Sequence, residues 1–133
     1  MATLLCQLTI RAECVEEFEN SQRMMFAETN KEKYVRLYQS FRSMNEREYF
    51  VIMTFDGYAS FIDHETSPRH EDQNAMPMIE TIQFHWLDPL EGASDLPPTA
   101  YQEIPDPTPL QKKYIDMFQI HRAAWWPKLR ARD

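Results

Sequence analysis

Residues 48–55, EYFVIMTF, constrain this chain more than any other segment, because both alternating sides of the run are apolar. The run is short and rich in aromatic and branched side chains, which favours a strand over a helix. A strand that is apolar on both sides sits inside a sheet and needs cover above and below. Its partner is the preceding segment, 33–43, where Val35, Leu37 and Phe41 alternate with Tyr34, Arg36, Tyr38 and Ser40. Residues 44–47, MNER, are polar and of hairpin length, so the two segments are expected to pair antiparallel.

Two further strands follow from the same period. Residues 3–11 set Leu4, Cys6, Leu8 and Ile10 against Thr3, Leu5, Gln7 and Thr9. Residues 79–87 set Ile82, Phe84 and Trp86 against Thr81, Gln83 and His85. Between them the period changes. Val15, Phe18 and Met25 recur at helical spacing over 13–29, with Glu13, Glu16, Glu17 and Glu19 early, where the helix dipole favours acids. A short helix is expected over 58–65, and Ser67-Pro68 reads as an N-cap and first turn of another. The order β-α-β-β-α-β within residues 1–92 predicts an α+β, ferredoxin-like domain with a four-stranded antiparallel sheet. Beyond it, five prolines across 91–109 mark an extended connector. Leu110, Tyr114, Met117, Phe118, His121 and Trp125 then predict a C-terminal helix over 108–132. Residues 93–133 thus read as a connector and helix packed on the domain or on a partner subunit.

Two helices can cover one side of such a sheet. The other side needs a second sheet, which a twofold pair of chains supplies, so a homodimer is expected. The net charge of −7 opposes a phosphate backbone, and the one basic cluster, Lys128, Arg130 and Arg132, suits a helix end, so no nucleic-acid partner is expected. Only two glycines occur, Gly57 and Gly92, and they form no phosphate-binding loop for a nucleotide cofactor. Cys6 and Cys14 are too few for a disulfide framework. No signal peptide and no apolar span of about 20 residues is visible, so a cytoplasmic protein with no membrane partner is expected.

The segment YFVIMTFDGYASFIDHETSPRH ends a strand in an aromatic residue, Phe55. A short helix follows, then His64, then Ser67-Pro68 and His70. With ETIQFHWLDP after it, this resembles the antibiotic biosynthesis monooxygenase domains of the dimeric α/β-barrel superfamily, over about residues 3–90. The resemblance implies a dimeric barrel and oxidation of a quinol-like substrate with no metal and no organic cofactor. Phe55 stands where the family commonly has Trp, and the Glu before it is absent. No glycine precedes the second strand, and His64 and His70 are one residue further apart than in the family.

His64 and His70 are the candidate catalytic residues, since imidazole is best poised for proton transfer near neutral pH. Tyr34, Arg36 and Tyr38 share one face of the second strand and are candidates for orienting a phenolate or carboxylate; cross-strand ion pairing or cation–π packing at the interface is the alternative. Phe55, Tyr58, Phe61, His85 and Trp86 complete the expected substrate-binding set, with His85 facing either the pocket or the dimer interface. His121, Trp125 and Trp126 are candidates for a lid or an interface anchor. His64, Glu65 and His70 lack the HExxH zinc spacing, and Pro68 interrupts the helix between them, so no metal is expected. The leading expectation is a cofactor-independent oxygenase acting on a small aromatic, quinol or polyketide-like substrate, with molecular oxygen as the second reactant. The alternatives are a non-oxidative acid–base enzyme (cyclase, isomerase or carbon–carbon lyase) on the same fold, and a non-catalytic ligand-binding or interaction protein.

Overall fold

The computed structural model of the chain describes residues 1–68, 70, 75–119 and 123–127. Strand β1 (Ala2–Ile10), helix α1 (Val15–Thr29), strands β2 (Val35–Arg42) and β3 (Glu48–Phe55), helix α2 (Tyr58–Glu65), strand β4 (Ile79–Leu87) and helix α3 (Pro109–Met117) follow one another. The strands form one antiparallel sheet in the order β2-β3-β1-β4. This is the expected α+β, ferredoxin-like arrangement. The helix expected from Ser67-Pro68 lies largely outside the described residues. Its start is capped as expected, with the Ser67 hydroxyl accepting from the backbone N–H of His70 at 3.2 Å.

Register decides which side chains share a face. Leu4, Cys6 and Leu8 of β1 stand beside Met53, Val51 and Tyr49 of β3, and beside Trp86, Phe84 and Ile82 of β4. The helices pack on this face. Phe18 of α1 meets the Tyr49 ring at 4.9 Å, and Phe61 of α2 meets Phe55 at 5.5 Å and Trp86 at 5.3 Å. Phe18, Phe55, Tyr58 and Phe61 are fully buried. Each such burial contributes on the order of 1.5–3 kcal/mol.

On the opposite face, Leu5, Leu37, Phe50, Ile52 and Leu87 are partly exposed and Phe41 is 51% exposed. The helix contacts named above all fall on the first face. The two-sided apolar pattern of 48–55 is therefore real in three dimensions, and among the described residues the helices cover one side.

A cross-link sets the tilt of α1. The Glu19 carboxylate accepts from Arg42 of β2 at 2.6 and 2.9 Å and from the Tyr49 hydroxyl of β3. These bonds, Arg42 first, hold its carboxyl at about 2, well below the usual range. In the 44–47 connection Arg47 takes a left-handed backbone, φ 63°, and its guanidinium donates to the Ile10 carbonyl at 2.7 Å and meets Glu80 at 2.9 Å.

After β4 the proline-rich segment runs back past the start of β1. The Met1 carbonyl accepts from Ala100 N–H, and the buried Thr99 hydroxyl accepts from Thr3 N–H at 3.2 Å. Gln102 then accepts from the N–H of Ala59 at the start of α2, 3.1 Å away. Helix α3 opens with a capping box between Thr108 and Gln111 and with Pro109 in its first turn. It ends at Met117, earlier than the expected 132. Phe118 leaves helical geometry to bury its ring, and residues 123–127 are not helical. Pro127 accounts for the latter, because it offers no N–H and its ring opposes a helical turn before it. His121 and the cluster Lys128, Arg130 and Arg132 lie outside the described residues; Trp125 is exposed. Among the described residues no helix is long and apolar enough to cross a membrane.

Candidate functional site

Between the sheet and its helices lies a cavity of about 410 Å³. Its floor is the helix-side face of the sheet: Cys6 and Leu8, Val51 and Met53, Ile82 and Phe84. Phe18 and Met25 of α1 form one wall, and His64 and Glu65 of α2 another. Tyr114, Met117 and Phe118 close it from the C-terminal segment. A cavity of about 150 Å³ is enough for benzene, so this one has room for about two fused rings.

The polar lining of the cavity is Gln22, Tyr38, His64, Glu65, His70 and Lys113. Helix α2 presents His64 at its last turn, 2% exposed, with its ring against Phe55 and Tyr38. Its Nδ1 lies 3.2 Å from the Glu32 carboxylate, itself only 12% exposed. Glu32 occupies the short link between α1 and β2. The Asn30 amide fixes that link by donating to the Phe26 carbonyl at 2.8 Å and the Tyr38 carbonyl at 3.2 Å. With Glu32 on Nδ1, Nε2 is the ring nitrogen left to exchange a proton or hold a ligand. His70 stacks edge-on to His64, ring centres 5.2 Å apart, and its Nε2 lies 3.2 Å from the buried Glu65 carboxylate.

One carboxylate, Glu65, and one cation, Lys113, line the cavity. Burial, reinforced by Glu65, pushes the Cys6 thiol up to about 12. Burial first, then Glu65 and Glu32 among its neighbours, also raises the Tyr38 phenol. Cys6 is therefore an inert thiol here, in line with its reading as a small buried hydrophobe.

Of the expected substrate-binding residues, Tyr38 alone lines the cavity. Phe55 and Phe61 lie behind it in the core. Tyr58 is buried too, its hydroxyl donating to the Phe118 carbonyl at 3.0 Å. Trp86 packs on Tyr58 and Phe61, leaving Phe84 as the β4 aromatic at the cavity. Tyr34 stacks on Phe55 outside it. Arg36 does not stand between two tyrosines: β2 shifts register between Val35 and Leu37, and Arg36 turns out to an exposed ion pair with Asp56. His85 pairs with Leu5 on the open face of the sheet, away from the cavity. Glu32 was not singled out by its loop context, although an acid within reach of a buried histidine is the group that fixes its tautomer.

A larger but more open depression of about 460 Å³ lies between α1 and β2, bordered by Glu19, Arg23, Phe26, Phe41 and Arg42. It holds no histidine or cysteine, and its carboxylate is tied down by Arg42 and Tyr49. The histidines lie instead on the cavity between the sheet and its helices.

No known family profile and no curated protein sequence matches the chain. Solved structures do. An antibiotic biosynthesis monooxygenase superposes with a TM-score of 0.63 at 14% identity, over 68% of this chain and 99% of its own. The Rv0793 protein of Mycobacterium tuberculosis gives 0.63 at 18% identity, over 70% and 98%. The PA3566 protein of Pseudomonas aeruginosa gives 0.61 at 15%, over 67% and 93%. The chain thus carries a domain with the fold of the antibiotic biosynthesis monooxygenases, as several of the similar structures are named. Roughly a third of this chain lies beyond what these structures match.

Proposed function

We propose that the cavity binds a small aromatic substrate, a quinol or polyketide-like phenol, and that the protein oxygenates it without a cofactor. The observation that carries this reading is a buried histidine, oriented by a part-buried carboxylate, on the wall of a largely apolar cavity of matching size. His64 Nε2 takes the phenolic proton, and Glu32 steadies the imidazolium that forms. The resulting electron-rich anion passes an electron to molecular oxygen, and the two radicals combine. In an anthrone-like phenol, whose keto form carries a ring CH₂, that CH₂ becomes a carbonyl. In a quinol a ring C–H becomes C–OH and the ring is oxidised to the quinone. In both the second oxygen atom leaves as water, so no outside reductant is consumed. The protein supplies orientation, exclusion of water and the base. His70 and Glu65 lie beside His64 and carry the proton onward.

A non-oxidative acid–base enzyme is the second reading. It is favoured by Phe55 in the place of the family's Trp and by carboxylates that oppose build-up of anion in the cavity. Oxygen uptake with a panel of quinols and anthrone-like phenols separates the two. Uptake of one oxygen molecule per product, at a rate that chelators do not lower, is expected; turnover without uptake assigns the second reading. A purely docking protein is disfavoured, because α3 and Phe118 spend their aromatic groups on the chain's own cavity.

We also propose that two copies pair through the open sheet face, which carries Leu5, Leu37, Phe41, Phe50 and Ile52. Sedimentation should give the mass of two chains. Ile52→Glu, at the centre of that surface, should give one chain with the fold retained; a wild-type mass of one chain would contradict the pairing.

A further inference from the structure

We propose that His64, Glu65 and His70 together bind a divalent transition-metal ion at the edge of the cavity. The inference goes beyond the acid–base reading and does not depend on it. One ligand atom from each residue lies within 4.8 Å of the other two. Around a tetrahedral ion with bonds of about 2.1 Å, ligand atoms stand about 3.4 Å apart. His70 Nε2 and Glu65 Oε2, at 3.2 Å, already have that spacing, and adjustments of about 1 Å bring in the third ligand.

The surroundings are those of a metal site. Glu32 on His64 Nδ1 is the carboxylate–histidine pair that turns the other ring nitrogen toward a metal. The buried Glu65 carboxylate pairs with the His70 ring and the part-buried Glu32 carboxylate with the His64 ring, so two carboxylates and two imidazoles stand together beside the cavity. Two imidazoles and one carboxylate suit Zn²⁺, Fe²⁺ or Co²⁺ rather than Ca²⁺ or Mg²⁺. Three protein ligands also leave a coordination position free, as in catalytic rather than structural metal sites.

The linear sequence argues against this site, and the fold shows why that argument fails. The HExxH rule applies to two histidines on one continuous helix face. Here α2 ends at Glu65, and the Ser67 hydroxyl donates to the His64 carbonyl at 2.9 Å while accepting from the His70 N–H. That turn folds His70 back onto His64 across Pro68.

The test uses the full chain stripped with chelator and titrated with Co²⁺, followed by visible absorption, and with Zn²⁺, followed by calorimetry. One ion per chain is expected, with the intense visible bands of a four- or five-coordinate Co²⁺. Glu32→Gln should weaken binding by about 10–100-fold. Glu65→Gln and His70→Ala should weaken it at least as much, with unchanged circular dichroism. Absence of the bands, or unchanged affinity in both Glu65→Gln and His70→Ala, would overturn the site. Oxygen uptake then tests the functional reading separately. His64 Nε2 cannot hold a proton and an ion at once, so Zn²⁺ should inhibit a reaction that proceeds in chelator. Binding together with metal-dependent turnover keeps the site and removes the cofactor-free reading; turnover in chelator without binding does the reverse.

Discussion

Replacing His64 with alanine is expected to lower turnover of the aromatic substrate by about 10²-fold or more, the range that a positioned general base contributes. Substrate affinity should change little, because the contact surface is largely supplied by Phe18, Met25, Phe84 and Phe118. The effect should therefore fall on kcat. The substitution also removes a buried ring packed on Phe55 and Tyr38 and takes the imidazole from the part-buried Glu32 carboxylate, so a stability loss of about 1–3 kcal/mol should accompany it. Glu32→Gln separates the two effects. It keeps the ring in place but offers Nδ1 an amide instead of a carboxylate, so the imidazolium loses its stabilising charge. An intermediate loss of turnover is expected, with the His64→Ala variant lower. Steady-state kinetics on the three proteins, with thermal melts, check this. Unchanged kcat in His64→Ala would remove the base.

Phe118→Ala is expected to cost about 3–5 kcal/mol, the range for truncating a large buried aromatic side chain. Its ring is 5% exposed and meets Phe84 at 4.5 Å and Phe61 at 5.1 Å, both edge to face. Its carbonyl also receives the Tyr58 hydroxyl, so the change loosens the segment that closes the cavity. KM should rise along with the loss of stability. Leu110→Ala, on the exposed first turn of α3, should stay within about 0.5 kcal/mol. Urea unfolding of the three proteins is the measurement. A cost under about 1 kcal/mol for Phe118→Ala would mean that the C-terminal segment is not part of the folded core.

The strands were legible because period-two patterning is a direct record of which face is buried. Cys6 and Leu8, Val51 and Met53, and Ile82 and Phe84 fall together on the floor of the cavity as their alternation requires. What the pattern cannot carry is a slipped register. The shift between Val35 and Leu37 separates Arg36 from Tyr38, although strict alternation puts them on one side. The sidedness of His85 was likewise open from alternation alone, because both faces of this sheet are apolar. The overlong C-terminal helix has a similar cause. Its aromatic spacing persists past Met117, but Phe118 gains more by turning into the core than by continuing the helix. His64 and His70 were visible as residue types; their closeness depends on a turn, and Glu32 reaches His64 from 32 positions earlier in the chain.

Chemical rescue measures the central claim most directly. His64→Ala leaves a void at the cavity wall, lined by Phe55, Tyr38 and Glu32, that fits free imidazole. Turnover of that variant should rise with imidazole concentration and saturate, while Glu32→Gln gains nothing from it. A His64→Ala variant that turns over its substrate at an unchanged low rate at every imidazole concentration would contradict proton transfer at this position.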